Sequence, residues 1–210
     1  MREVLSPNFG YPTGRVGRNG HEVKYIVLHV TEGINSENWT SNPASQVSYN
    51  YIVKLNGEIL VIVKENNAPY SNGVVRKPSI RLDNNVNPNL LTISIAREGY
   101  ARNKPTEAQI ESIVKLCKSI CDRYDIDTKN IIGHKDIDSV QRANCPSMNI
   151  EEIRKEVDKI SDSWEKEMLD NAINELHKKG LIKNPGEHKD PFEKVEAWLF
   201  FEMIRRISDG

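Results

Sequence analysis

The stretch Tyr25-Ile-Val-Leu-His29-Val30 is an apolar run of strand length that carries a histidine near its end. A shorter run of the same kind, Asn130-Ile-Ile-Gly133, leads directly into His134. Both runs are rich in the β-branched residues that favour strands. They predict two buried strands, each of which delivers a histidine to its carboxyl end.

Other segments complete an α/β pattern. Strands are predicted at about Ser48 to Leu55, Glu58 to Val63 and Leu91 to Ile95. Asn56-Gly57 is a strong hairpin signal between the first two of these strands. Thr106-Glu-Ala-Gln109 is a capping box that opens a helix with an apolar stripe, which also contains Cys117 and Cys121. The pattern therefore predicts an α/β fold.

Three residues stand out as candidate metal ligands: His29, His134 and Cys145. His134 and Cys145 lie on one strand-plus-loop segment, whereas tertiary structure must bring in His29. Two imidazoles and one thiolate suit a catalytic zinc ion whose fourth position stays open for water, and the spacing is not that of a zinc finger. A histidine in an apolar strand is more often a core residue satisfied by hydrogen bonds. The spacing leaves both interpretations open.

Longer stretches of the chain, in order, carry a resemblance to a known family. They are Ser6-Pro-Asn-Phe-Gly-Tyr11, the strand with His29, Asn42-Pro-Ala-Ser-Gln-Val-Ser-Tyr-Asn-Tyr51, Lys54-Leu-Asn-Gly57, Ser71-Asn-Gly73, Thr92-Ile-Ser-Ile95, Ile131-Ile-Gly-His134-Lys135-Asp136-Ile137 and Asn144-Cys145-Pro146. From about Val4 to Pro146 the chain resembles type 2 N-acetylmuramoyl-L-alanine amidases. Peptidoglycan-recognition proteins and many phage endolysins share that fold.

The resemblance implies a central mixed β-sheet flanked by helices. It implies hydrolysis of the amide between the lactyl group of N-acetylmuramic acid and L-alanine, with both the glycan strand and the stem peptide of peptidoglycan as binding partners. It also implies a Zn²⁺ cofactor held by His29, His134 and Cys145. Such chemistry suits zinc, because an unactivated amide needs a strong nucleophile at neutral pH.

Tyr49 matches the position at which related amidases carry a catalytic tyrosine. Period-2 alternation along a strand would put Tyr51 on the same face, so the sequence does not exclude Tyr51 as a site residue. Either tyrosine can instead be a strand residue packed in the sheet.

The chain departs from its relatives at Ala96. Close relatives read Ile-Glu-His-Glu-Gly-Tyr where this sequence has Ile95-Ala-Arg-Glu-Gly-Tyr100, and the first of those glutamates serves as a base or orienting carboxylate in many members. Alanine can neither accept a proton nor orient water. Two hypotheses follow: an enzyme that works without this carboxylate, or a catalytically impaired peptidoglycan-binding module. Glu98 is a weak substitute.

Several relatives have a basic residue two positions before the zinc cysteine, where this chain has Ala143. The nearest cations here are Arg142 and Lys135. Either cation can meet a stem-peptide carboxylate or the developing oxyanion, although both can equally be solvated loop charges. Trp39 and Tyr70 are candidate aromatic walls of a substrate groove, with Asn72 beside Tyr70. A helix-packing role for Trp39 stays open.

Composition and charge restrict the partners and the cellular location that we expect. The formal net charge of −1 argues against a nucleic-acid partner, and no apolar run is long enough for membrane insertion. An odd count of 3 cysteines does not suggest a disulfide framework. The N-terminal residues lack the apolar core of a secretory signal. The expectation is synthesis in the cytoplasm and action on the cell wall after holin-type or lytic release.

The last third of the chain predicts helices. A helix is expected from Asn149 to about Ile160, followed by a turn at Ser161-Asp-Ser163. We therefore expect an amidase domain at residues 1–160 and a small all-helical domain at 163–210. Its two apolar stripes are Met168, Leu169, Ala172, Ile173 and Leu176, and Phe192, Val195, Trp198, Leu199 and Met203. The segment resembles the C-terminal helical segments of clostridial and bacillar amidases, and cell-wall targeting and a purely structural role are both open.

Overall fold

The computed structural model describes residues 1–81 and 85–180, and over residues 161–172 it describes the backbone alone. The described residues include one mixed β-sheet. Its strands are Arg2–Glu3 (β1), Tyr25–Val30 (β2), Tyr51–Val53 (β3), Ile59–Val61 (β4), Thr92–Arg97 (β5) and Ile131–Gly133 (β6). The α-helices are Ser36–Thr40 (α1), Glu107–Tyr124 (α2) and Ile150–Lys178 (α3). Single 3-10 turns lie at Pro43–Ser45, Pro88–Leu90, Thr128–Asn130 and His134–Asp136.

The strand order is β1-β4-β3-β5-β2-β6. β2 pairs in parallel with both β5 and β6, and β3 pairs in parallel with β5 but antiparallel with β4. The α/β fold with a central mixed sheet is therefore confirmed. Because the carboxyl ends of parallel strands meet at one edge of a sheet, the end of β2 and the residue after β6 lie side by side. Those positions are His29 and His134.

The main core lies between one face of the sheet and helix α2 together with the first turns of α3. The apolar stripe of α2 packs into this core, as the helical period predicts, and both Cys117 and Cys121 are buried as small apolar residues. The predicted capping box is present, because the Thr106 hydroxyl accepts from Gln109 N–H and the Gln109 side chain accepts from Thr106 N–H. The opposite face of the sheet carries His29 and two smaller clusters, one around Val27 and one around Ile52.

The predicted strand at Ser48 to Leu55 is shorter in the structure, and its alternation breaks at Asn50. The carbonyl of Asn50 accepts from both Ile62 N–H and Val63 N–H, which places a bulge on the Ile62–Val63 side, and the strand that contains Tyr51 begins only at this residue, so that Tyr49 lies before it. As a result Tyr51 packs into the main core, whereas Tyr49 packs against the Ile52 cluster on the other face. The expectation that these two tyrosines share a face is wrong.

Helix α3 continues without interruption through Ser161–Ser163, so the turn predicted there is wrong. Serine and aspartate cost a helix only a few tenths of a kcal/mol each, and no glycine or proline interrupts the run. The helix ends before Gly180, which has a φ of +69° and donates its N–H to the carbonyl of His177, as the sequence predicts for a helix ending near this glycine.

By compactness the chain divides into two units, with the boundary between Val157 and Asp158. The apolar stripe from Phe192 to Met203 lies outside the described residues, and wall targeting by the C-terminal segment stays a prediction. None of the described helices combines the length and the apolar character that a membrane span needs.

Gly57 is the tightest position in the predicted hairpin, and its replacement gives a test of the fold. Its φ is +83°, and a Cβ there would lie 2.8 Å from the carbonyl oxygen of Ala108 in α2. We expect Gly57→Ala to lower the free energy of unfolding by about 2–3 kcal/mol, through left-handed strain and displacement of α2. Gly20→Ala is the matched control, because Gly20 has a φ of +81° with nothing within 4 Å of its Cβ position. Urea denaturation that gave equal losses for both variants would contradict the close approach to α2.

Candidate metal and catalytic site

The two predicted histidine ligands meet at the carboxyl edge of the sheet. Their Nδ1 atoms lie 3.1 Å apart, and both rings are almost completely buried. The Sγ atom of Cys145 joins them, so that the three ligand atoms all lie within 4.8 Å of one another. The residues that the sequence singled out as a set are therefore brought together.

Backbone contacts hold Cys145 beside the histidines. Its Sγ accepts from Val30 N–H at 3.4 Å, and its carbonyl accepts from Lys135 N–H at 3.0 Å, next to His134. Gly133 makes this approach possible, because a Cβ there would lie 2.8 Å from Cδ of Pro146. Gly133-His134 and Cys145-Pro146 thus pack closely against each other.

Burial keeps the histidines neutral and the thiol protonated when no cation is present. It lowers the pKa of His134 to about 4 and the pKa of His29 well below its usual value, and the neighbouring His134 lowers the latter further. Burial also raises the pKa of Cys145 to about 11, against the opposing effect of the Val30 N–H. Neutral imidazole is the form that binds a metal, whereas the thiol must lose its proton when a cation binds.

The donor set fits a zinc ion. Zinc bonds of about 2.0–2.1 Å to nitrogen and 2.3 Å to sulfur place tetrahedral ligand atoms about 3.3–3.6 Å apart. The two Nδ1 atoms already have nearly this separation, and the sulfur needs only a small side-chain movement. Three protein ligands leave one position of the tetrahedron open, which is the arrangement of a catalytic rather than a structural zinc site.

A cavity of about 610 Å³ opens over the three ligands. Tyr49 lines it, with its ring centroid 5.2 Å from that of His29, and burial raises the pKa of Tyr49 so that the phenol stays protonated. Arg142 lines the same cavity from an exposed loop, which the Asp138 carbonyl anchors by accepting Arg142 N–H at 3.1 Å. Tyr49 and Arg142 therefore line the cavity that contains the candidate ligands, and their catalytic roles stay predictions.

Ala96 is fully buried and does not line the cavity. It pairs in register with His29, and Tyr49 packs against the cluster that contains it. Glu98 is also buried, where it forms an ion pair with Lys54 at 2.7 Å and accepts from Asn35 N–H at 2.6 Å. Since these contacts hold Glu98 away from the cavity, it does not replace the carboxylate missing at position 96.

The predicted substrate-binding residues divide into two groups. Trp39 and Tyr70 line the cavity, and Trp39 is 58% exposed. Lys135 is exposed and lines a second cavity of about 350 Å³, whose wall at Ala143 and Asn144 is shared with the first. Their binding roles stay predictions.

Tyr51 and Asn72 are both buried. The buried Tyr51 packs into the main core, donates its hydroxyl to Glu65 at 2.7 Å and does not line the cavity. Asn72 is completely buried behind the two histidines. Neither side chain lines the cavity over the ligands, and a substrate contact by either stays a prediction.

Glu32 is the residue that sequence reasoning missed. Among the described residues that line the large cavity, it carries the only carboxylate. Its backbone is left-handed, with a φ of 55°, and its side chain accepts from Ala101 N–H at 3.1 Å. The available signal was its place in Thr-Glu-Gly directly after the strand that carries His29, since side chains just beyond the carboxyl ends of parallel strands face a common site.

Comparison with known proteins gives concordant results. A family model described as N-acetylmuramoyl-L-alanine amidase matches residues 19–148. Among similar solved structures, AmpD is 21% identical with a TM-score of 0.61, over 75% of this chain and 94% of its own. The endolysin amidase LysCS from Clostridium intestinale is 20% identical with a TM-score of 0.50, over 69% and 88%.

AmiD from E. coli, solved with the substrate anhydro-N-acetylmuramic acid-L-Ala-D-gamma-Glu-L-Lys, is 23% identical with a TM-score of 0.53, over 68% of this chain and 59% of its own. A comparison with curated proteins finds no match. At these identities the solved structures establish the shared fold.

The mixed sheet, the convergent ligands and the open cavity define a hydrolase that acts on amide bonds of peptidoglycan. Because the family model spans more than half of the 210 residues, the chain belongs to the type 2 N-acetylmuramoyl-L-alanine amidases. The expected family and enzyme class are confirmed.

The lowered histidine pKa values predict an acid-sensitive fold in protein kept metal-free with a chelator. The folded pKa of His134 is about 4 against 6.5 for the free side chain, so below 6.5 the unfolded chain binds the additional proton. The free energy of unfolding therefore falls between pH 6.5 and pH 4, and this residue contributes about 3 kcal/mol of that fall.

Denaturation at a series of pH values measures the slope. His134→Gln should reduce it, whereas His21→Gln, at an exposed loop position, should retain it. An unchanged slope in His134→Gln would contradict the assignment.

Proposed function

We propose that this chain hydrolyses the amide bond between N-acetylmuramic acid and L-alanine of peptidoglycan in a zinc-dependent reaction. The observation that carries the proposal is the convergence of two buried Nδ1 atoms and one sulfur beneath an open cavity. The fragment bound to the similar E. coli AmiD contains this bond, which supports the same substrate class here.

His29 and His134 would hold zinc through Nδ1, and Cys145 through Sγ. When bound, zinc lowers the pKa of a coordinated water to about 7 and polarises the scissile carbonyl. The protein's other residues must then move protons and stabilise the charge that develops on the carbonyl oxygen.

Glu32 is the proposed proton acceptor. Its carboxylate takes a proton from the attacking water as the carbon–oxygen bond forms, and passes it to the amide nitrogen as the carbon–nitrogen bond breaks. The products are a lactyl carboxylate and the free amino group of L-alanine. The contact with Ala101 N–H orients the carboxylate, and the left-handed backbone at Glu32 is a local strain of the kind that concentrates at functional sites.

Tyr49 is the proposed donor to the carbonyl oxygen. Its raised pKa keeps the phenol protonated at neutral pH, and its ring lies beside that of His29. A donor placed where negative charge develops stabilises the transition state more than the substrate. Arg142 is exposed at the rim, where a guanidinium is well suited to pair with a stem-peptide carboxylate.

The proposed reaction is tested on purified Gram-positive cell walls, by following turbidity and the appearance of L-alanine amino termini. Zinc-loaded protein should produce these termini, and a chelated sample should not. Cys145→Ser should lose zinc and activity together. Binding of walls without cleavage by the zinc-loaded protein would instead favour the peptidoglycan-binding module suggested by Ala96.

The roles of Glu32 and Tyr49 predict losses in turnover at constant zinc occupancy. Glu32→Gln keeps an acceptor for Ala101 N–H but cannot take a proton, so we expect turnover to fall about 100-fold. Tyr49→Phe removes the donor and should cost about 100-fold. Glu22→Gln, on an exposed loop outside the cavity lining, is the matched control and should match wild type. Wild-type turnover in Glu32→Gln would exclude Glu32 as the base.

A further inference from the structure

Asn72 lies behind both histidines and contacts the site with its backbone. Its carbonyl lies 3.1 Å from Nε2 of His134, which must therefore carry the proton that it donates. The side chain is completely buried, and its Nδ2 donates to the Thr92 hydroxyl at 2.7 Å. The Asn72 N–H in turn donates to Asn89 at 2.9 Å, so the whole residue is held rigidly in place.

Two buried polar atoms of this region lack a hydrogen-bond partner among the described residues: Nε2 of His29 and Oδ1 of Asn72. They belong to neighbouring groups, since the Asn72 carbonyl contacts the His134 ring, whose centroid lies 4.5 Å from that of His29, and the Asn72 side chain also raises the pKa of His29. Unsatisfied polar atoms are rare in protein interiors, and a pair of them in one place calls for a physical cause.

The tautomers of the histidines supply that cause. His134 donates from Nε2, so its Nδ1 carries a lone pair directed at His29. If His29 is protonated on Nδ1, it donates to His134, but its Nε2 and the Asn72 Oδ1 are then two acceptors without a donor. If His29 is protonated on Nε2, that N–H can donate to the Asn72 Oδ1. Two Nδ1 lone pairs then face each other across 3.1 Å, which is stable only with a cation between them.

We infer that Asn72 is a positioning residue for the metal site, through its side chain toward His29 and through its carbonyl toward His134. Metal binding selects the Nε2–H tautomer of His29, and this N–H donates to Asn72 Oδ1. Both unpartnered atoms are thereby satisfied, and both ligand rings are fixed by one residue. The inference rests on the proposed zinc function but concerns how the ligands are oriented, not what is cleaved.

The test compares Asn72→Leu with Asn72→Asp in the full-length protein. Leucine has a similar size but no acceptor, whereas aspartate keeps an acceptor for His29 and leaves the Thr92 hydroxyl free to act as donor. Zinc affinity is measured by competition with a chelator, without substrate. Removing an outer hydrogen-bond partner of a metal-bound histidine costs about 10–100-fold in metal affinity, and we expect this loss for Asn72→Leu. Asn72→Asp should stay within a few-fold of wild type.

Gln109→Leu is the matched control, because Gln109 is also a completely buried amide but bonds to Val53 and Glu98, away from the ligands. Its zinc affinity should equal that of wild type. A loss as large as that of Asn72→Leu would show general destabilisation and overturn the inference, as would wild-type affinity in Asn72→Leu.

Nitrogen-15 NMR of the wild-type histidine rings gives a second readout that needs no variant. With zinc, His29 should show a protonated Nε2 that is protected from exchange, and an Nε2 without a proton would overturn the inference. Since both measurements are made without cell walls, absence of cleavage would refute the proposed function and leave this inference intact. If the wild-type protein bound no zinc, both would fall.

Discussion

The contact between two buried imidazoles is the constraint on which the rest of the site depends. His29 and His134 come within 3.1 Å because β2 and β6 are adjacent and parallel, so their chains reach the same edge of the sheet. Neutral rings with opposed lone pairs repel each other, and protonated rings would repel more strongly. The surrounding packing has to enforce the contact, and a cation turns the same geometry into an attractive one.

The two faces of the sheet have different roles: one packs the main core and the other supports the site. One face carries the apolar residues that pack against α2 and the start of α3, and this core supplies most of the burial. The other face carries polar residues beneath the site, where Thr92 and Ser94 bond to Asn72 and Ser71. These two bonds hold the loop with Ser71 and Asn72 against the sheet, so polar contacts as well as the two small apolar clusters support the site on this face.

Much of this site could be predicted from the sequence because strand patterns and ligand types are local signals. His29 and His134 each end an apolar run, and parallel pairing then brings them together. Tyr51 could not be placed relative to Tyr49, because the strand begins only at Tyr51 and nothing in the local pattern marks this start. Asn72 could not be placed either, since burial behind the histidines depends on how a long loop folds back over the sheet.

The register of β2 and β5 fixes the surroundings of position 96, where the chain has alanine in place of a carboxylate. Ala96 stands beside His29 on the same face, and Tyr49 packs over the cluster that contains Ala96. Ala96 is itself fully buried and leaves no carboxylate on this part of the sheet. The ring of Tyr49 lies beside that of His29, while the carboxylate that lines the cavity belongs to Glu32, at the end of the strand that carries His29. In the proposed mechanism the acid and the phenol therefore divide the work between proton transfer and oxyanion binding, two roles that one buried carboxylate could not fill together.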